Sequence, residues 1–127
     1  MIQKLFVPGV MPGLNEVINS AKGAGGSGAH YYRLKDTLTS SVMILARTAR
    51  PRLVPMESAH FHYTFRELHR KRDPSNIFVA VKFIEDGLVA AGVFKNDGWD
   101  QVLSIRMNFE VVDKKSAGVL VTMESPE

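Results

Sequence analysis

The sequence predicts an α+β fold, a small mixed β-sheet with helices packed mainly on one side, in a single domain spanning residues 1–127. Three observations predict it. Residues 58–66 and 101–112 alternate apolar and polar side chains, the period of half-buried strands. Apolar residues at 77, 80, 81, 84, 88 and 91 trace one helical stripe, and Tyr31, Leu34, Leu38, Val42, Leu45 and Ala49 trace another. Finally, 127 residues suffice for one core but not two, with no internal repeat or low-complexity segment to divide them.

Taken in order, residues 2–7 read as a short strand ending at Pro8 and Gly9. Pro12-Gly13 starts a turn, and Leu14 to Lys22 makes a short helix with Leu14, Val17, Ile18 and Ala21 inward. Gly23 to Gly28 holds four glycines in six residues, a loop composition that matches no phosphate-binding fingerprint. A helix is expected from His30 to Arg50, stopped by Pro51 and Pro55. In the strand of residues 58–66, Phe61, Tyr63 and Phe65 point one way and His60, His62, Thr64 and Arg66 the other. Asp73 suits an N-cap and Pro74 the first helical position of the next helix, which Gly92 ends. Its outer face carries Ser75, Val79, Lys82 and Asp86. Residues 101–112 place Leu103, Ile105, Met107, Phe109 and Val111 inward, and residues 119–123 form the last strand. A short turn at Lys114–Gly118 makes these two an antiparallel hairpin, although the helical insertions elsewhere permit other pairings.

Composition narrows the chemistry. The absence of cysteine excludes disulfides and thiolate metal sites and leaves hard, oxygen-ligated metals. No apolar run is long enough to span a bilayer, and no signal-peptide pattern opens the chain, so no membrane role is expected. The pI of about 9.3 reflects a net charge of only +3, so the placement of charge carries more information than its sum. Arg66, Arg70, Lys71 and Arg72 crowd next to Asp73 with Glu67 opposing them, and Arg47, Arg50 and Arg52 form a second group. His60 and His62 lie two apart on one strand face, a weak zinc signal without further ligands. Trp99 reads as a packing anchor in its turn, with base stacking as the other reading.

Two groups of motifs are more specific than any of these. The first is Lys71-Arg72-Asp73-Pro74-Ser75-Asn76-Ile77, Lys82-Phe83-Ile84, Asp86-Gly87-Leu88-Val89, Ala91-Gly92-Val93 and Asn96-Asp97-Gly98-Trp99. The second is Met11-Pro12-Gly13-Leu14-Asn15-Glu16 with Ile18-Asn19. In order and spacing they resemble the RusA family of Holliday-junction resolvases, especially its phage and prophage members. The resemblance implies a homodimeric endonuclease that binds four-way DNA junctions and cuts them with Mg²⁺, or Mn²⁺ in its place, in the cytoplasm of a bacterial host.

It also implies roles for particular residues. Asp73 and Asp97 fall at two of the family's three carboxylate positions and are the expected metal ligands. Ser75 stands at the second of the three, a neutral and weaker donor, and Val79 stands where the family has a lysine. Lys82, one turn further along the same face, is the candidate replacement, about two turns or 10 Å from the helix start. Without the resemblance, Lys82 and Asp86 read as an exposed i,i+4 pair, Asp73 as a cap, Asp97 as turn chemistry and Asp100 as a strand-end charge with some claim as a reserve ligand. Arg70, Lys71, Arg72 and Asn76, with Lys22 and Arg33 flanking the glycines, are the expected DNA contacts. The departures at 75 and 79 leave a catalytically impaired junction-binding relative as the main rival. A protein-interaction module with no DNA role is the rival from another class.

Overall fold

The structure, a computed structural model, describes residues 1–22 and 28–126. The glycine-rich stretch expected to be a loop lies, except for Gly28, outside the described residues. The elements run β1 (Ile2–Pro8), α1 (Leu14–Ala21), α2 (Ala29–Arg47), β2 (Ala59–Glu67), α3 (Pro74–Ile77), α4 (Ala80–Ala90), β3 (Val102–Val111) and β4 (Gly118–Glu124). Four strands form one mixed sheet in the order β1-β4-β2-β3. The α+β class, with a small mixed sheet, is as expected.

Alternation in β2 buries Phe61, Tyr63 and Phe65 on one face, where β4 adds Val119, Val121 and Met123. Against them pack Val42 and Ala46 of α2, and Ile77, Val81, Phe83, Ile84 and Leu88 of α3 and α4. The helices α2 and α4 touch directly at Gly87, where a Cβ would overlap the Cβ of Val42, so only glycine allows this crossing. The opposite sheet face is polar. There His60 pairs with Ser104 (2.8 Å), His62 with Asn108 and Arg106, and Arg66 with Glu110 (2.9 Å). Both histidines thus make cross-strand contacts, His60 through Nδ1 and His62 through both ring nitrogens.

Several sequence expectations are corrected. The last two strands are not a hairpin. β4 inserts between β1 and β2, antiparallel to both, and β3 pairs in parallel with β2. The three buried residues of β4 explain this, because only a central position covers them. The helical segment between β2 and β3 supplies the crossover that a parallel pair requires. Consequently Leu103, Ile105, Phe109 and Val111 of β3 are exposed, not inward, and Met107 is half-buried. α1 buries no residue; Val17 alone among its expected inward residues packs against the core. α2 ends at Arg47, before the prolines, with Thr48 as its C-cap. The single helix expected after Asp73 is two segments joined by tight turns, in which Val81 and Lys82 donate to the carbonyls of Phe78 and Val79.

Candidate functional site

The loop carrying Asp97 is set by the end of α4. Gly92 adopts φ +81°, Val93 donates its N–H to Leu88 and Gly92 to Val89, the paired bonds of a Schellman stop. In the following turn Asn96 Oδ1 accepts from the Asp97 N–H (2.8 Å). The Asp97 carboxylate is thereby held against the outer face of α4. Lys82 Nζ donates to Asp97 Oδ2 (2.7 Å) and lies 3.1 Å from Asp86 Oδ1. The sequence-predicted pair with Asp86 is thus present, and the same ammonium also reaches Asp97.

Charge follows geometry here. The hydrogen bond from Lys82 holds Asp97 below the usual carboxylate range, and the bond to Asp97 raises Lys82 well above an ordinary lysine. Asp86 Oδ2 is buried and has no hydrogen-bond partner among the described residues. One residue along, Glu85 is buried and accepts a hydrogen bond from the buried Tyr63 hydroxyl (3.1 Å). Burial raises the Glu85 carboxyl, and burial followed by the nearby Glu85 charge raises Tyr63. Glu85 and Asp97 line a cleft of about 310 Å³ with Gly98, Trp99, Val102, Leu103 and Ile105. Trp99 is 96% exposed, which corrects its expected role as a packing anchor. Its indole stands open beside the carboxylates.

Asp73 occupies a different setting. It is the N-cap of α3 in extended conformation, but its carboxylate makes no capping bond; its carbonyl accepts from Asn76 (2.8 Å) and Ile77 (3.2 Å). It lines a cleft of about 620 Å³ with Glu67, His69, Arg70, Arg72, Phe109 and Val111, and Ser75 is exposed close by. Asp73 and Asp97 line different clefts. Among the described residues, no three His, Asp or Glu side chains gather in a metal-holding group.

The expected DNA contacts divide in two. Arg70 and Lys71 are exposed at the turn before Asp73, Lys22 is exposed at the C-cap of α1, and Arg33 is exposed beside His30 (2.9 Å). Arg72 and Asn76 are occupied within the fold. Arg72 donates through Nε and Nη2 to both oxygens of buried Glu67 (2.9–3.0 Å) and through Nη1 to the Met11 carbonyl (3.0 Å). Asn76 Oδ1 accepts from the Asn15 N–H (2.9 Å) at the start of α1. A Cβ on Gly13 would stand 2.8 Å from Asn76 Oδ1 and 2.9 Å from Arg72 Nη1. The two motif groups, through contacts spanning 61 residues of sequence, thus meet as one structural knot.

Sequence reasoning missed Glu85 and Tyr63 and treated Asp86 mainly as a solvated charge. Glu85 had a signal, because it stands on the apolar stripe, four residues after Val81 and three before Leu88. Tyr63 had none, since a tyrosine among core aromatics looks like packing. A scan of family models finds no match to this chain, and no curated protein matches it either.

Proposed function

We propose that the chain is a Mg²⁺-dependent, structure-selective endonuclease of the RusA type that binds four-way DNA junctions as a homodimer, in the cytoplasm of a bacterial host. The observation that supports this reading best is the contact of Lys82 with Asp97, two of the residues named as catalytic from sequence, made across fifteen residues of chain. Cleaving a phosphodiester requires a positioned water and stabilisation of negative charge. Lys82 stays protonated at neutral pH, so it serves as a fixed positive charge toward a phosphate rather than as a base. Asp86 and Asp97 offer hard oxygens about one ammonium, and Asp86 has a buried oxygen without a hydrogen-bond partner among the described residues. That donor set suits Mg²⁺, which commonly takes one or two protein carboxylates and retains waters. When bound, the ion supplies Lewis-acid stabilisation and acidifies its water. Arg70, Lys71, Lys22 and Arg33 would hold phosphates without reading sequence. Trp99 gives an unpaired base near the junction centre a surface to stack on.

One observation favours the impaired relative as a second reading. Asp73 lines a different cleft from Asp97, and Asp97 is already paired with Lys82. Incubating a labelled four-way junction with the protein, with and without Mg²⁺ or Mn²⁺, separates the readings. Ion-dependent cleavage that is lost in Asp97→Asn supports the enzyme. Salt-sensitive junction binding without cleavage supports the impaired relative, and Ser75→Asp with Val79→Lys should then raise cleavage at least about tenfold, or roughly 1.4 kcal/mol in barrier. Neither binding nor cleavage rules out both and leaves the protein-interaction reading.

A further inference from the structure

We infer that the outer edge of β3 is the contact between two copies of this chain, joined antiparallel about a two-fold axis at Asn108. The inference deepens the homodimer named above by assigning its surface and register. β3 ends the sheet, runs for ten residues and carries no proline or lysine, and its two charged residues, Arg106 and Glu110, sit on the polar face. Its helix-side face leaves Ile105 44%, Phe109 38% and Val111 51% exposed. An uncapped apolar edge of this length is a template for strand pairing.

The sequence of β3 selects one register. Val112 donates its N–H to Glu67 (2.8 Å), so even-numbered residues of the strand turn their backbone toward β2 and odd-numbered ones turn theirs outward. A second copy must therefore pair odd residues with odd. Centring the pair on Asn108 sets Met107 opposite Phe109 and Ile105 opposite Val111 of the second copy, apolar against apolar. On the polar face it sets Arg106 opposite Glu110, twice by symmetry. Shifting the centre by one residue pair in either direction loses the two charge matches. The chosen register also has a spatial consequence. Ile105 lines the cleft of Asp97 and Val111 lines the cleft of Asp73. Pairing them places the Asp97 cleft of one copy next to the Asp73 cleft of the other, although the two are separate within a chain.

The chain has no cysteine, which gives a clean test that needs no DNA and so stands apart from the nuclease reading. On the axis, Asn108 forms a non-hydrogen-bonded pair with its symmetry mate, with Cα atoms about 4.5 Å apart, inside the range that a disulfide spans. Asn108→Cys should crosslink to a covalent dimer on mild oxidation. Ser104→Cys should not, because eight strand residues, about 26 Å, separate the two copies of position 104. By sedimentation, Arg106→Glu and Glu110→Arg should each weaken self-association about tenfold, and combining them should restore it. Circular dichroism of each variant checks that the fold is retained. A native chain that is monomeric up to high micromolar concentration would overturn the inference. So would a dimer that fails to crosslink at 108 and is indifferent to the charge swap.

Discussion

Arg72 and Lys82 are both cations in the central motif, both contact two carboxylates, and they do opposite things. Arg72 is largely buried and holds Glu67, itself 7% exposed, through three hydrogen bonds while a fourth donor secures the Met11 carbonyl. Lys82 has a side chain 59% exposed and meets Asp86 and Asp97 through one rotatable ammonium. A bidentate guanidinium fixes geometry, whereas an ammonium on a flexible stem is a point charge that can exchange partners. The difference teaches that a basic cluster beside an aspartate is not one signal. Arg72 assembles the scaffold, and Lys82 charges the site.

The largest expected effect breaks the scaffold side. Arg72→Ala strands a buried Glu67 carboxylate and unties the Met11–Glu16 segment, so it should destabilise the fold by about 3–5 kcal/mol. Thermal unfolding followed by circular dichroism checks this; a loss under about 1 kcal/mol would return Arg72 to the surface. Next in size is Gly87→Ala, which forces α4 away from Val42 of α2 and should cost about 1–3 kcal/mol. Val42→Ala in the same chain should recover part of that loss, since it removes the atoms the new methyl meets.

Two smaller effects sharpen the site side. Burial raises the Glu85 pKa, so its contribution to stability is complete below the ordinary glutamate value of about 4.3 and is lost as pH rises through the folded value. Glu85→Gln removes that loss while keeping an acceptor for Tyr63. It should therefore stabilise the protein by up to about 1 kcal/mol at pH 7 and leave it nearly unchanged at pH 4. Equal melting curves at pH 7 would show that Glu85 is not held in its strained, charged state. Lys82→Ala has the smallest expected effect on stability, under about 1 kcal/mol, because solvent screens an exposed pair. Asp97 is lowered and Lys82 raised, so that contribution is present between the ordinary values of about 3.9 and 10.4. It fades as pH falls through the lower folded Asp97 value or rises through the higher folded Lys82 value.

Much of this was legible from periodicity. The strand of residues 58–66 folds as its spacing indicates, and the stripe from Ile77 to Leu88 is buried as expected although its helix breaks after Ile77, because each has one face committed to the core. β3 misled for a physical reason. Alternation marks a strand with two unlike faces but cannot say whether anything covers the apolar one, and here the helices do not reach it. At the candidate site, Lys82 and Asp97 were visible as separate residues, and their contact was not, since it depends on where the Asn96–Trp99 turn lays its carboxylate. The pairing of Arg72 with Glu67 was not legible, because sequence shows charge without burial.

The central claim, that Lys82 and Asp97 act on a phosphodiester while Arg72 only builds the fold, is tested most directly by single-turnover cleavage of a labelled four-way junction in Mg²⁺. Native protein, Lys82→Ala and Asp97→Asn are compared at a temperature where all three are folded. Both variants should cut at least about a hundredfold more slowly, roughly 2.7 kcal/mol in barrier, with melting temperatures close to native. Cleavage by either variant at the native rate would contradict the assignment.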